Sequence, residues 1–154
     1  MTDVELQPAT QAIVVDEVFQ HAPEVLWRML TQGEFIARWM MAPSGFAAVE
    51  GTRFTFKTAP AGAWDGTIQC QVLEVVPHER FVYSWIGGDE GNDGYGSKLE
   101  TVVTFCLSKV DTGTRLRLVH SGFVMPANEV AHRNMSQGWK TIMPRIKPIA
   151  DEQE

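Results

Sequence analysis

The chain has 154 residues, of which 44% are hydrophobic and 21% charged, and 13 basic against 19 acidic residues give a formal net charge of −6 at pH 7. This composition is typical of a globular domain and excludes collagen-like, coiled-coil and intrinsically disordered chains. The acidic balance and the lack of a Lys/Arg cluster argue against nucleic acid and anionic membrane surfaces as partners. No apolar run approaches the roughly 20 residues of a membrane span, and the first residues lack the features of a signal peptide, so we expect a cytoplasmic protein.

The N-terminal part of the chain predicts a tail, a strand and two short helices. Residues 1–10 carry charge and a proline without periodicity, so we expect a flexible tail, followed by a single domain over residues 11–154. The segment QAIVVDEVF places β-branched residues on both faces, which predicts a strand covered on both sides. Pro23 suits the first position of one helix, and Thr31 with Glu34 fits a capping box that starts a second.

The middle of the chain predicts an antiparallel meander. Turn residues recur from Pro43 to Phe123 without helical periodicity. The predicted strands are, in order, Gly45–Val49, Thr52–Thr58, Thr67–Val76, Arg80–Ile86, Glu100–Ser108 and Thr114–Ser121. Between the fourth and fifth of these, the acidic and glycine-rich run GGDEGNDGYGS predicts the most mobile hairpin loop.

The C-terminal part of the chain predicts a long amphipathic helix after Pro126. Its apolar residues recur at helical spacing and are Met135, Trp139, Ile142, Met143 and Ile146. Pro144 and Pro148 each remove a backbone donor and crowd the preceding turn, so we expect a kink or an early end near them.

The order of one strand, two short helices, six strands and a long helix resembles the helix-grip fold of the START-like (SRPBCC) superfamily. Four runs resemble bacterial proteins similar to the activator of heat-shock protein 90 ATPase: VFQHAPEVLWRMLTQGEFIARWM, VLEVVPHERFVYSW, TRLRLVHSGF and GWKTIMPRIKPI. The resemblance covers nearly the whole chain. It implies an α+β fold in which a curved antiparallel sheet of about seven strands wraps around the C-terminal helix and leaves a cavity between them.

Strand parity and helical spacing nominate side chains for this implied cavity. Leu118 and His120, for example, share one face of the last strand, opposite Arg115 and Arg117. The candidate lining residues are Trp39, Met40, Phe54, Phe56, Tyr83, Trp85, Phe105, Leu118, His120, Met135, Trp139 and Met143. The same spacing is equally typical of a filled hydrophobic core, and this alternative stays open.

Glu74 and two of the lining candidates, Tyr83 and His120, are polar groups that could orient a bound molecule. The ordinary pKa of histidine, near 6.5, suits proton transfer, and burial would raise the pKa of an inward-facing Glu74, so the two could form an acid–base pair. The alternatives are a core imidazole satisfied by a backbone carbonyl and a solvated carboxylate at the rim.

The sequence predicts neither a metal site nor a cofactor. Cys70 and Cys106 lie far apart without a CxxC partner, and no P-loop, GxGxxG or GxSxG stands in a fitting context. The run from Asp89 to Glu100 matches some positions of a calcium loop, but Gly91 replaces a required ligand and the flanks predict strands rather than helices.

The leading hypothesis is a non-enzymatic domain that binds a small hydrophobic or aromatic molecule, such as a lipid, between the sheet and the C-terminal helix. The resemblance implies two alternatives. One is a cofactor of a heat-shock protein 90 type chaperone in the stress response, acting through the outer sheet and loops. The other is an enzyme similar to polyketide cyclases or dehydratases, using acids and bases of the pocket. An exposed sheet edge also leaves a homodimer open.

Overall fold

The computed structural model describes residues 10–153 and has an α+β fold built on one antiparallel sheet. The strands are β1 (Thr10–Phe19), β2 (Arg53–Lys57), β3 (Thr67–Val76), β4 (Arg80–Gly87), β5 (Leu99–Val110) and β6 (Gly113–Val124). The helices are α1 (Pro23–Thr31), α2 (Gly33–Trp39), α3 (Glu129–Ile142) and α4 (Ile146–Asp151), with a 3₁₀ turn over Met143–Arg145. The strand order across the curved sheet is β1-β6-β5-β4-β3-β2. The predicted tail lies outside the described residues except for Thr10, the first residue of β1.

The predicted fold class is confirmed, but the sheet has six strands rather than about seven. The segment predicted as a strand over Gly45–Val49 is a loop, and Ser44, just before it, forms one isolated bridge with Thr55. Gly45 then takes a φ of +75°, so the chain leaves the extended conformation directly after that bridge. Phe46 of this loop packs edge-to-face on Phe54, with ring centroids 5.0 Å apart.

All three helix predictions are confirmed, including the second short helix, α2. Helix α1 begins at Pro23, and the long C-terminal helix breaks into α3, a 3₁₀ turn that contains Pro144, and α4. The predicted capping box is wrong, because the hydroxyl of Thr31 donates to the carbonyl of Trp27 at 2.6 Å and Gln32 takes the N-cap position of α2. Within residues 10–153, none of the helices is long and apolar enough to cross a membrane.

The inner face of the sheet carries the hydrophobic core, which α1, α2 and the C-terminal helices complete. The prediction that β1 is covered on both sides is wrong: Val14 and Val18 on its outer face are 46% and 49% exposed. Their β-branched side chains reflect the conformational preference of a strand rather than burial.

Candidate functional site

An open pocket of about 310 Å³ lies between α3 and one end of the sheet. Its walls also include the β2–β3 loop (58–66), the β4–β5 loop (88–98) and the segment after α2. The lining residues are Met40, Met41, Thr58, Trp64, Ile68, Trp85, Gly87, Gly88, Tyr95, Gly96, Ser97, Leu99, Ala131, Asn134, Met135, Gly138, Trp139 and Ile142. The volume is at the lower end of the range for small-molecule sites, which is about 300–1,000 Å³.

Helix α3 contributes a stripe of alternating small and large side chains to this pocket. Ala131, Met135, Gly138 and Ile142 follow one another at the spacing of one helical face, and all of them line the pocket. A Cβ atom built at Gly138 meets no heavy atom within 4 Å. The open space therefore depends on the small residues of this stripe, where larger side chains would fill it.

The two loops at the mouth of the pocket are joined by hydrogen bonds. The hydroxyl of Tyr95 donates to the carbonyl of Ala59 at 2.6 Å, and the amide of Asn92 donates to the carbonyl of Ala61 at 2.8 Å. The ring of Tyr95 also lies against Trp64, with centroids 6.2 Å apart. The β4–β5 loop is thus fixed to the opposite loop and forms one side of the entrance.

His120 lies beneath the pocket and is fully buried. Its Nδ1 accepts a hydrogen bond from the indole N–H of Trp139 at 3.1 Å, and its Nε2 lies 2.8 Å from the hydroxyl oxygen of Thr101. That hydroxyl donates to the carbonyl of Trp85 at 2.8 Å, so its oxygen is free to accept from Nε2–H. These partners assign the neutral tautomer with the proton on Nε2.

Burial and, to a smaller extent, the nearby His132 together lower the pKa of His120 to about 3. The imidazole therefore stays neutral at physiological pH, with both ring nitrogens already occupied. It orients the indole of Trp139, which lines the pocket, but it has neither a free nitrogen nor a suitable pKa for moving a proton. The arrangement agrees with a core imidazole, although its partners are side chains rather than a backbone carbonyl.

The structure divides the predicted lining residues into two groups. Met40, Trp85, Met135 and Trp139 line the pocket. The others are buried side by side in the core below it: Trp39, Phe54, Phe56, Tyr83, Phe105, Leu118, His120 and Met143.

The core beneath the pocket is filled by aromatic rings in contact. Trp39 lies edge-on to Phe105 at 6.2 Å between centroids, and its indole N–H donates to the carbonyl of Met29 at 2.9 Å. Tyr83 directs its hydroxyl to the sulfur of Met40 at 3.9 Å, and burial raises its pKa. Tyr83 therefore lies behind the pocket wall, which corrects its assignment as a polar pocket group.

Glu74 is outside the pocket because a β-bulge reverses its direction. The register of β3 against β4 shifts between Val72 and Glu74, so Glu74 pairs with Val82 on the outer face instead of continuing the inner row. Its carboxylate accepts two hydrogen bonds from Arg80, at 2.7 and 3.0 Å, and this guanidinium lowers its pKa. The expectation of an inward carboxyl group with a raised pKa is thus wrong, and no acid–base pair with His120 is formed.

The metal-ligating residue types are also dispersed. Across residues 10–153, no three His, Cys, Asp or Glu side chains come together in a way that could hold a metal ion. The buried thiol of Cys70 has its pKa raised to about 12 by desolvation, which makes it unreactive at neutral pH.

The amino-acid sequence of this chain matches the model of a known protein family over most of its length. The family model described as "Activator of Hsp90 ATPase homolog 1-like protein" matches residues 20–151. The chain belongs to this family. A comparison with curated proteins gives no significant match.

Solved structures of several bacterial proteins share the fold of this chain. Protein MLL2253 from Mesorhizobium loti is 32% identical, with a TM-score of 0.79 over 94% of this chain and 99% of its own. Protein BH1534 from Bacillus halodurans is 23% identical, with a TM-score of 0.71 over 91% and 96%. The Aha1 dimer from Colwellia psychrerythraea is 20% identical, with a TM-score of 0.68 over 89% and 93%.

Sequence reasoning missed most of the loop and helix residues that form the pocket. Gly138 and Ala131 were detectable in principle, because small residues recur on the inner stripe of an otherwise bulky helix. Trp64 and Tyr95, each in a glycine-containing loop, also gave a signal for aromatic side chains near an entrance. No such signal marks Ser97, since its place in the pocket wall depends on contacts between distant segments.

Proposed function

We propose that this protein binds a small, flat, apolar molecule in the pocket between α3 and the sheet. The observation that carries the proposal is the stripe on α3, where Gly138 and Ala131 leave open space between Met135, Trp139 and Ile142. Thioether and aromatic side chains adapt well to flat apolar ligands, and the removal of ligand surface from water would drive binding. The family's helix-grip architecture agrees with this role.

The test uses N-phenyl-1-naphthylamine, an uncharged dye whose fluorescence rises in apolar surroundings. We expect saturable binding to the wild-type protein and at least about tenfold weaker binding to Trp139→Ala, since one large apolar contact contributes about 1.5–3 kcal/mol. Trp27→Ala is the matched control, because Trp27 packs near His78 and Phe81 rather than in the pocket. Circular dichroism checks the fold of both variants. Equal affinities in wild type and folded Trp139→Ala would refute the proposed lining.

A second candidate function is favoured by the family match and by the Aha1 dimer among the similar structures. In this proposal the protein is a chaperone cofactor that acts in the stress response through its outer sheet and loops, as a monomer or a homodimer. It predicts co-purification with a heat-shock protein 90 homologue and stimulation of its ATPase. Pocket variants such as Trp139→Ala would separate the two functions, because a surface role does not require an open pocket.

A further inference from the structure

The pocket offers hydrogen-bond donors without formal charge. Within residues 10–153, the residues that line it include no Asp, Glu, Lys, Arg or His. A charged ligand would lose its hydration there without gaining an ionic partner, which is unfavourable. Neutral ligands are therefore preferred, and the polar groups of the wall decide which of them bind well.

The indole N–H of Trp85 is one donor without an acceptor. Trp85 is 5% exposed, and the structure gives its Nε1 no hydrogen bond within residues 10–153. Within residues 10–153, the buried side-chain nitrogen and oxygen atoms that lack both a hydrogen-bond partner and contact with open space are His21 Nδ1 and Arg28 Nε. Trp85 Nε1 also lacks a partner but is not one of these enclosed atoms, so it retains access to open space. The open space beside Trp85 is the pocket.

The indole N–H groups of the two other tryptophans that line the pocket are already hydrogen-bonded. Trp64 donates its indole N–H to the carbonyl of Thr67 at 2.8 Å, and Trp139 donates to His120 at 3.1 Å. Both also line the pocket, yet their donors are already used within the protein. Trp85 differs from them in having its donor available to a bound molecule.

The hydroxyl of Ser97 is a second available donor. Ser97 is 3% exposed and lines the pocket, and its oxygen accepts a hydrogen bond from the amide of Asn128 at 3.0 Å. The orientation of that amide is fixed, because Asn128 Oδ1 accepts from the N–H of Val124 and its nitrogen also donates to the carbonyl of Lys98. The Ser97 oxygen is thus engaged as an acceptor, and its own proton has no acceptor in the described part of the chain.

From these two donors we infer that Trp85 and Ser97 select ligands that present an uncharged acceptor, such as the carbonyl oxygen of an aromatic ketone. The inference rests on the proposed function and specifies its ligand class. An apolar molecule without an acceptor leaves both buried donors unsatisfied, which disfavours it. A molecule that offers only donors meets no suitable partner at either group.

The experiment compares 2-acetylnaphthalene with 2-isopropylnaphthalene, which has nearly the same shape but no acceptor. Each compound displaces N-phenyl-1-naphthylamine, and the measured quantity is the ratio of their two dissociation constants. We expect this ratio to shift about threefold to tenfold against the ketone in Ser97→Ala and in Trp85→Phe, the loss expected for one hydrogen bond. Trp27→Phe is the matched control and should keep the wild-type ratio, because Trp27 packs near His78 and Phe81, outside the pocket.

Each outcome decides a different point. An unchanged ratio in both Ser97→Ala and Trp85→Phe overturns the selection by these donors, while the proposed binding function survives. If neither compound nor the dye binds the wild-type protein, the binding function fails and the inference fails with it. Should either variant unfold, the infrared carbonyl stretch of 2-acetylnaphthalene bound to wild type decides: a lower frequency than in hexane supports the inference, and an equal one overturns it.

Discussion

Filling the pocket from Gly138 should stabilise the protein and weaken ligand binding at the same time. Glycine inside a helix costs about 0.5–1 kcal/mol relative to alanine, and the new Cβ meets no atom within 4 Å. Gly138→Ala should therefore raise the melting temperature by about 1–4 °C. Gly138→Leu should raise it at least as much, because its side chain also buries apolar surface against Met135 and Ile142.

The same Gly138→Leu side chain occupies the space that a ligand would use. We expect the affinity for N-phenyl-1-naphthylamine to fall at least about tenfold, equivalent to about 1.4 kcal/mol. Gln137→Leu is the matched control, since it adds a leucine at the adjacent, exposed position of α3 and should leave dye binding unchanged. The reasoning is refuted if Gly138→Leu lowers the melting temperature or keeps wild-type affinity, because either result means that the side chain does not enter an open pocket.

Three further predictions test the surroundings of the site. The pKa of His120 is lowered to about 3 in the folded protein, whereas it is near 6.5 in the unfolded chain. As the pH falls below 6.5, the imidazole is therefore protonated in the unfolded chain but not in the folded protein, and the free energy of unfolding should fall by up to about 1.4 kcal/mol per pH unit. Urea unfolding between pH 6.5 and 5 should show that the free energy of unfolding depends less steeply on pH in His120→Gln than in the wild type. An equal dependence in both proteins contradicts the lowered pKa of His120. Glu74→Gln, which breaks the outer-face pair with Arg80, should leave dye affinity unchanged in fluorescence titration; weaker binding would contradict its place outside the site. Tyr95→Phe, which frees the loop carbonyl of Ala59, should accelerate dye release in stopped-flow measurements, whereas an unchanged rate would show that this bond does not control the entrance.

Parity along regular strands is sufficient to place the inner side chains of the sheet. The alternation around Trp85 in β4 and His120 in β6 predicts their burial, because both strands pair with β5 in an unbroken register. Glu74 shows the limit of the method. A single bulge beyond Val72 changes the face, and it depends on the pairing of two strands rather than on the sequence of one.

The position of the open space is even less accessible from sequence. The periodicity that marks Trp139 and Met143 is the same for both residues, yet Trp139 lines the pocket and Met143 is sealed in the core. The difference arises because α1, α2 and α4 fill one end of the sheet, while the other end is bordered by loops. Such three-dimensional filling depends on the relative placement of all elements, which periodicity within one element does not encode.

The network around His120 explains why a histidine is suitable at a site where both of its ring nitrogens are engaged within the protein. A hydrocarbon side chain in its place would leave the indole N–H of Trp139 and an acceptor position on Thr101 without partners, at a cost of about 1–3 kcal/mol for each buried group. The neutral imidazole satisfies both and adds no charge, so it fixes Trp139 as a rigid wall of the pocket. A general acid or base would instead need a pKa near the working pH and a free nitrogen, and His120 has neither. The energetic balance thus favours a positioning role, and the available donors of the pocket are left to Trp85 and Ser97.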